Sequence, residues 1–193
     1  MIGFTEEARG IFACQLFEAD FCRSVVDYLK KIDGWVAAQV LQEDELGGAA
    51  SATMPDVRAA SILSSFHAPG LYRDFDGQID GVIKPFIRQV WRTDLAGHAG
   101  TQIIRYAPGG HYRPHKDAGR LMKERYFTVL CYLNGDFEGG QTQFPSLGYS
   151  AAPQAGKAIL FPATYIHCAE PVIAGEKYVI LTWIIGPVPI DWI

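Results

Sequence analysis

The chain has 193 residues, 49% hydrophobic and 20% charged, with a formal net charge of -4. That length can bury a continuous core, and without a run of basic residues the composition offers no footprint for nucleic acid. No apolar stretch approaches the ~18 residues of a membrane span, and the opening "MIGFTEEARG" has no basic segment leading into an apolar run. The expectation is one cytoplasmic domain, with neither membrane nor nucleic acid among its partners.

The four cysteines (Cys14, Cys22, Cys131, Cys168) are dispersed and form no Cys-x-x-Cys pair. Reduced, buried thiols are expected rather than a structural zinc site. Near the start, "EADFCRSVVDYLKKIDG" brings Phe21, Val25, Leu29 and Ile32 to one face at helical spacing. Acidic residues open this helix, Lys30 and Lys31 close it, and Gly34 follows as a stop. "WVAAQVL" then reads as a strand. The acidic, small-residue segment 42–56 reads as a mobile loop able to act as a lid over substrate, and "VRAASIL" resumes a strand. A second helical region spans roughly residues 78–92, with Ile79, Ile83, Phe86 and Val90 on one face; Pro85 predicts a kink or a break within it.

After "GHAG" the chain becomes short apolar runs rich in Val, Ile, Tyr and Trp, separated by Gly and Pro turns. The candidate strands are "TQIIRYA", "RYFTVLCYLN", "GGQTQFP", "GKAILFP" and "EKYVILTWII". Two helices followed by five or more strands predict a mainly β fold with flanking helices, packed as a sandwich or barrel. Strand alternation then assigns faces. In "RYFTVLCYLN", Thr128, Leu130 and Tyr132 share one face, and Phe127, Val129, Cys131 and Leu133 the other. In "EKYVILTWII", Lys177 falls on the face of Val179, Leu181 and Trp183. A lysine among apolar neighbours is either at a rim with its amine in solvent or facing an anion.

In "GGHYRPHKDAGRL", His115 and Asp117 are two residues apart, so an extended backbone points both side chains the same way. With a second histidine, from His67, His98, His111 or His167, they make a two-histidine, one-carboxylate set that suits Fe(II) and leaves positions open. His167 follows an apolar strand and turn in the β-rich half. Such an iron needs a cosubstrate for oxygen chemistry. 2-Oxoglutarate can chelate the metal at one end, and its far carboxylate would give Lys177 a buried anion to face.

With these residues in place the chain resembles the prolyl 4-hydroxylase-like Fe(II)- and 2-oxoglutarate-dependent oxygenases. "RYAPGGHYRPHKD" fits Tyr-x-x-Gly-x-x-Tyr-x-x-His-x-Asp, "RYFTVLCYLN" a strand ending Tyr-Leu-Asn, and "GGQTQFP" a Gly-Gly-x-Thr-x-Phe turn and strand. "PQAGKAILFP" is similar to the strand before the distal histidine, and "EKYVILTWI" carries a lysine and a tryptophan six residues on. The resemblance implies a double-stranded β-helix (jelly-roll, cupin-like) core over 97–186 packed against an N-terminal support region, 1–96. It implies His115, Asp117 and His167 as iron ligands and Lys177 as the partner of the cosubstrate's distal carboxylate. Tyr106 and Tyr132 would bond in that pocket, Thr128 could touch the cosubstrate, and Trp183 would border it. A family arginine near substrate maps onto Arg58 only loosely, because Ala59 and Ala60 precede Ser61. The implied cofactors are Fe(II), 2-oxoglutarate and O2, with ascorbate as a reductant. Asp117 favours hydroxylation over halogenation, since related halogenases replace that carboxylate. The implied substrate is peptidyl proline or similar; the alternatives are a free amino acid, a small natural product, or a non-catalytic metal-binding sensor. A zinc hydrolase fits poorly, as no general base accompanies the set.

Overall fold

The computed structural model describes residues 2–43 and 48–187. Its strands, in chain order, begin with β1 (Thr5–Ala8), β2 (Ile11–Gln15), β3 (Val36–Ala37), β4 (Val40–Glu43), β5 (Ala49–Ala52), β6 (Arg58–Ala59) and β7 (Ser61–Leu63). They continue with β8 (Gly97–Tyr106), β9 (His111–His115), β10 (Arg125–Tyr132), β11 (Glu138–Gly139), β12 (Thr142–Phe144) and β13 (Tyr149–Ala151). The last are β14 (Lys157–Pro162), β15 (His167–Ala169), β16 (Val172–Ala174) and β17 (Lys177–Ile185). The α-helices are α1 (Ala19–Leu29), α2 (Pro69–Gln78) and α3 (Lys84–Trp91), with a π-helical turn at Ile79–Ile83 between the last two.

Eight strands form the major sheet in the order β1-β2-β14-β10-β17-β8-β7-β3, and five form the minor sheet in the order β13-β12-β15-β9-β6. All pairings are antiparallel. The layout is the expected jelly roll with helices against one sheet. Alternation divides the major sheet's side chains as the sequence predicts. Phe127, Val129, Cys131 and Leu133 join Tyr178, Ile180 and Ile184 in a core with the helices. Leu130, Tyr132 and Val179 turn the other way, into a second core with Phe144 and Phe161 between the sheets.

Several elements differ from expectation. In α1 the buried positions are Cys22, Val26 and Leu29, while Phe21 and Val25 are only partly covered, so the apolar face is rotated by one residue. The second helical region starts at Pro69, about nine residues early. Pro85 has no N–H to continue the ladder, and the chain enters α3 through the π turn, with Ile79, Ile83 and Ile87 all fully buried. "WVAAQVL" divides into β3 and β4, and "VRAASIL" into β6 and β7, which lie in different sheets. The segment 42–56 is not simply a loop: β4 and β5 pair from Val40–Ala52 to Glu43–Ala49 as a hairpin, and 44–47 lie outside the described residues. All four cysteines are buried free thiols. Among the described residues no helix is long and apolar enough to cross a membrane.

Candidate metal centre and its cavity

His115 closes β9 and His167 opens β15, and the two are direct cross-strand partners in the minor sheet. Between the His115–His167 and Tyr112–Ala169 pairings β9 carries one extra residue. This bulge brings Tyr112 and His115 to one side, where their rings stack with centroids 3.6 Å apart. Asp117 lies two residues past the strand, its N–H donating to the Ala163 carbonyl at 3.0 Å. Its carboxylate sits between the imidazoles, Oδ1 3.5 Å from His115 Nε2 and Oδ2 3.4 Å from His167 Nε2.

The other ring nitrogens are engaged. His115 Nδ1 is 2.8 Å from the Arg113 carbonyl and His167 Nδ1 3.0 Å from the Tyr165 carbonyl. A carbonyl only accepts, so in the neutral rings each Nδ1 carries the hydrogen and each Nε2 keeps its lone pair toward Asp117. One ligand atom from each of the three residues lies within 4.8 Å of the others. Two imidazoles and a carboxylate with open space beside them fit Fe(II). Burial alone would raise the Asp117 carboxyl, but His167, His115 and the Thr128 hydroxyl together hold it well below the usual carboxylate range. Burial pushes His167 down to about 4, against the pull of Asp117, so the ring is neutral and able to ligate.

Lys177 is 1% exposed. Its Nζ donates to the Gly140 carbonyl at 2.6 Å and lies 5.0 and 5.5 Å from the centres of the Tyr106 and Tyr132 rings. Burial pushes the amine down to about 7, with only Cys168 drawing it back. Among the described residues no carboxylate pairs with it, so this cation lacks the counter-charge that an arriving carboxylate would supply. The Gly139-Gly140 pair makes the placement possible. Both have positive φ, and a Cβ on Gly139 would lie 2.3 Å from the Pro171 carbonyl oxygen.

A cavity of about 640 Å³ joins these groups, lined by His115, Asp117, His167, Lys177, Tyr106, Thr128, Trp183 and Arg58. Thr128 donates to Asp117 Oδ2 at 2.6 Å, so it braces the carboxylate as well as lining the cavity. Tyr132 departs from expectation. It is fully buried behind the cavity wall, donates to Thr142 Oγ1 at 2.7 Å, and leaves Thr142 to face the open space. Arg58 is a buried wall residue and not a solvated rim charge. The three remaining histidines are elsewhere: His98 pairs with Asp76 at 3.0 Å, His111 contacts the Gly109 carbonyl, and His67 packs over Gly34.

Sequence spacing assigns Arg125 no role, yet its guanidinium lies 3.5 Å from the centre of the Trp183 ring and donates to the Asp117 carbonyl at 3.2 Å. Plain alternation would send Arg125 to the helix side with Phe127. The register shift between these two residues instead leaves Tyr126 against the helix core and Arg125 in the cavity. Gln102 and Tyr112 line the cavity as well. Tyr112 was visible as a motif residue, but its stacking on His115 needed the β9 bulge.

Residues 101–185 match the family model described as the 2OG-Fe(II) oxygenase superfamily. Prolyl 4-hydroxylase 13 of Arabidopsis thaliana is 35% identical over 112 residues, 42% of this chain and 41% of the relative. The prolyl 4-hydroxylase subunit alpha-1 of Gallus gallus is 31% identical over 147 residues, 66% of this chain and 27% of the relative. The chain thus spans about half or less of the length of the curated relatives it matches. In fold, it is similar to a prolyl hydroxylase from Trichoplax adhaerens solved with a hypoxia inducible factor peptide fragment, with TM-score 0.74 and 17% identity, covering 91% of this chain and 83% of that one. A Pseudomonas putida prolyl-4-hydroxylase gives TM-score 0.67 and 18% identity, covering 93% and 94%.

Proposed function

We propose that this chain is an Fe(II)- and 2-oxoglutarate-dependent dioxygenase hydroxylating an unactivated C–H bond, a reading supported by the match of residues 101–185 to the model of the 2OG-Fe(II) oxygenase superfamily. His115, Asp117 and His167 hold the metal, and Lys177 receives the distal carboxylate of 2-oxoglutarate. The relatives are prolyl 4-hydroxylases, so we assign a prolyl or similar ring, in a peptide or small molecule, as the hydroxylated group. The observation that carries the reading is one cavity holding both a two-imidazole, one-carboxylate set and a buried lysine that no carboxylate among the described residues pairs with.

When bound, Fe(II) with 2-oxoglutarate supplies the activation of O2 that C–H hydroxylation requires. The chain's own residues do the rest. The Arg113 and Tyr165 carbonyls fix the imidazole tautomers, and Thr128 orients Asp117 and satisfies one of its lone pairs. Tyr106 and Tyr132 wrap the Lys177 amine in apolar ring surface, which strengthens its attraction for a carboxylate. No side-chain general base is needed. We assign the lid role to the β4–β5 hairpin, since Leu41 and Ser51 line the cavity. Ascorbate would serve only as an external reductant.

Anaerobic addition of Fe(II) and 2-oxoglutarate should produce a visible metal-to-ligand charge-transfer band. If no band forms and no succinate appears on aeration, the reading is wrong.

A further inference from the structure

Besides Lys177 and the exposed Lys116, the cations Arg58 and Arg125 line the cavity. Neither forms a close ion pair with a carboxylate among the described residues, although Asp117 and Glu124 lie within electrostatic reach of Arg125. Arg58 is 8% exposed. Its Nη1 and Nη2 donate to the Gln39 carbonyl and to Gln102 Oε1 at 3.1 and 3.2 Å, and its guanidinium lies 4.9 Å from the centre of the Tyr112 ring. Arg125 has the Trp183 ring beneath it and the Asp117 backbone carbonyl as acceptor. Carbonyls, an amide oxygen and ring faces are all uncharged. Buried charges are ordinarily paired, and a guanidinium held against neutral acceptors favours an incoming anion.

The two arginines come from different sheets. Arg58 and Tyr112 are cross-strand partners on the minor sheet, and Arg125 and Trp183 belong to β10 and β17 of the major sheet. Tyr112 is stacked on His115 and lies within electrostatic reach of both guanidiniums. Asp117 is the one carboxylate among the described residues lining the cavity. A divalent metal and a doubly charged cosubstrate, taken together with Asp117 and Lys177, are neutral as a group. That leaves Arg58 without a carboxylate of its own among the described residues, and Arg125 with Asp117 and Glu124 in electrostatic reach but not in contact.

We propose that Arg58 and Arg125 together receive a carboxylate of the primary substrate, so that the substrate is an acid and not a neutral peptidyl segment. The carboxylate is that of a free amino acid, or an acidic group next to the hydroxylated residue of a peptide. The inference rests on the oxygenase reading above and narrows its substrate class.

The test uses the full chain, loaded anaerobically with Fe(II) and 2-oxoglutarate, and two matched pairs of probes. L-Proline is compared with L-prolinamide, and acetyl-Pro-Asp-amide with acetyl-Pro-Asn-amide. Calorimetry and perturbation of the visible band read binding, and succinate release on aeration reads turnover. In at least one pair the carboxylate member should bind ~30-fold or more tightly, the loss expected when a buried charge is left without its partner. The pair that shows the gap separates a free acid from an acidic peptide. The gap should collapse in Arg125→Gln and in Arg58→Gln, and survive in part in Arg125→Lys. Equal binding within both pairs, preference for the amides, or no binding by any of the four overturns the proposal. Failure of the visible band to form before any probe is added is instead a failure of the oxygenase reading.

Discussion

Burying Lys177 between Tyr106 and Tyr132 weakens the ligand-free fold, and the sign of that effect with pH follows from its amine. The folded amine titrates near 7 and the free one at 10.5. Below 7 both states are protonated and the burial penalty is full; between 7 and 10.5 only the unfolded chain holds the proton, and the penalty fades as pH rises. Lys177→Met should therefore raise the thermal midpoint without ligand, most below pH 7, with a gap that closes toward pH 10. The same variant should lose 2-oxoglutarate affinity by ~30-fold or more in calorimetry while metal binding is largely retained; equal loss of both would contradict the assigned role. Thr128 works at one remove. Thr128→Val removes the 2.6 Å bond to Asp117 and should weaken Mn(II) binding by ~10-fold or more, with the circular dichroism of the fold unchanged.

At the scale of elements, bulges decide which side chains reach the cavity. Alternation within β10 and β17 was legible in the sequence because Val, Ile and Tyr at period two leave little choice of face. The shift at Arg125–Phe127 and the extra residue in β9 were not, because each depends on the register of a strand far away in sequence. Gly100 is a related case. It has a φ of +71, and a Cβ there would lie 2.6 Å from the Trp183 ring, beside the register shift between β8 and β17. Gly100→Ala should cost about 1–3 kcal/mol in denaturant unfolding and change tryptophan emission as the indole moves. A silent substitution would mean that the ring does not rest there. Sequence spacing also missed β9 as a strand, since its "HYRPH" reads as a polar turn; its order comes from pairing on both sides with β15 and β6.

Across the whole molecule, the N-terminal half is more than a helical support. β1, β2, β3 and β7 occupy both ends of the major sheet around β14, β10, β17 and β8. Because the two halves share one ladder, we propose that residues 1–193 unfold as one unit; circular dichroism and tryptophan emission should trace coincident transitions, and separate midpoints would divide the chain. The candidate metal set joins parts of this unit, since the histidines lie on the minor sheet and the Asp117 carboxylate is braced by Thr128 of the major sheet. Fe(II) added anaerobically should raise the thermal midpoint and a chelator should reverse the rise, by preferential binding to the folded state. In His167→Ala the rise should be lost.

The strand-rich core, the faces of β10 and β17, and the candidate set of His115, Asp117, His167 and Lys177 were legible in the residues alone, because local periodicity and motif spacing carry that information. It took the folded chain to show that Tyr132 stands behind the wall, that Thr128 serves Asp117, and that Arg58 and Arg125 line one space with no close carboxylate among the described residues. The physical reason is that burial and charge balance are sums over neighbours distant in the chain. A guanidinium is solvated, paired or left waiting for an anion according to which strands surround it.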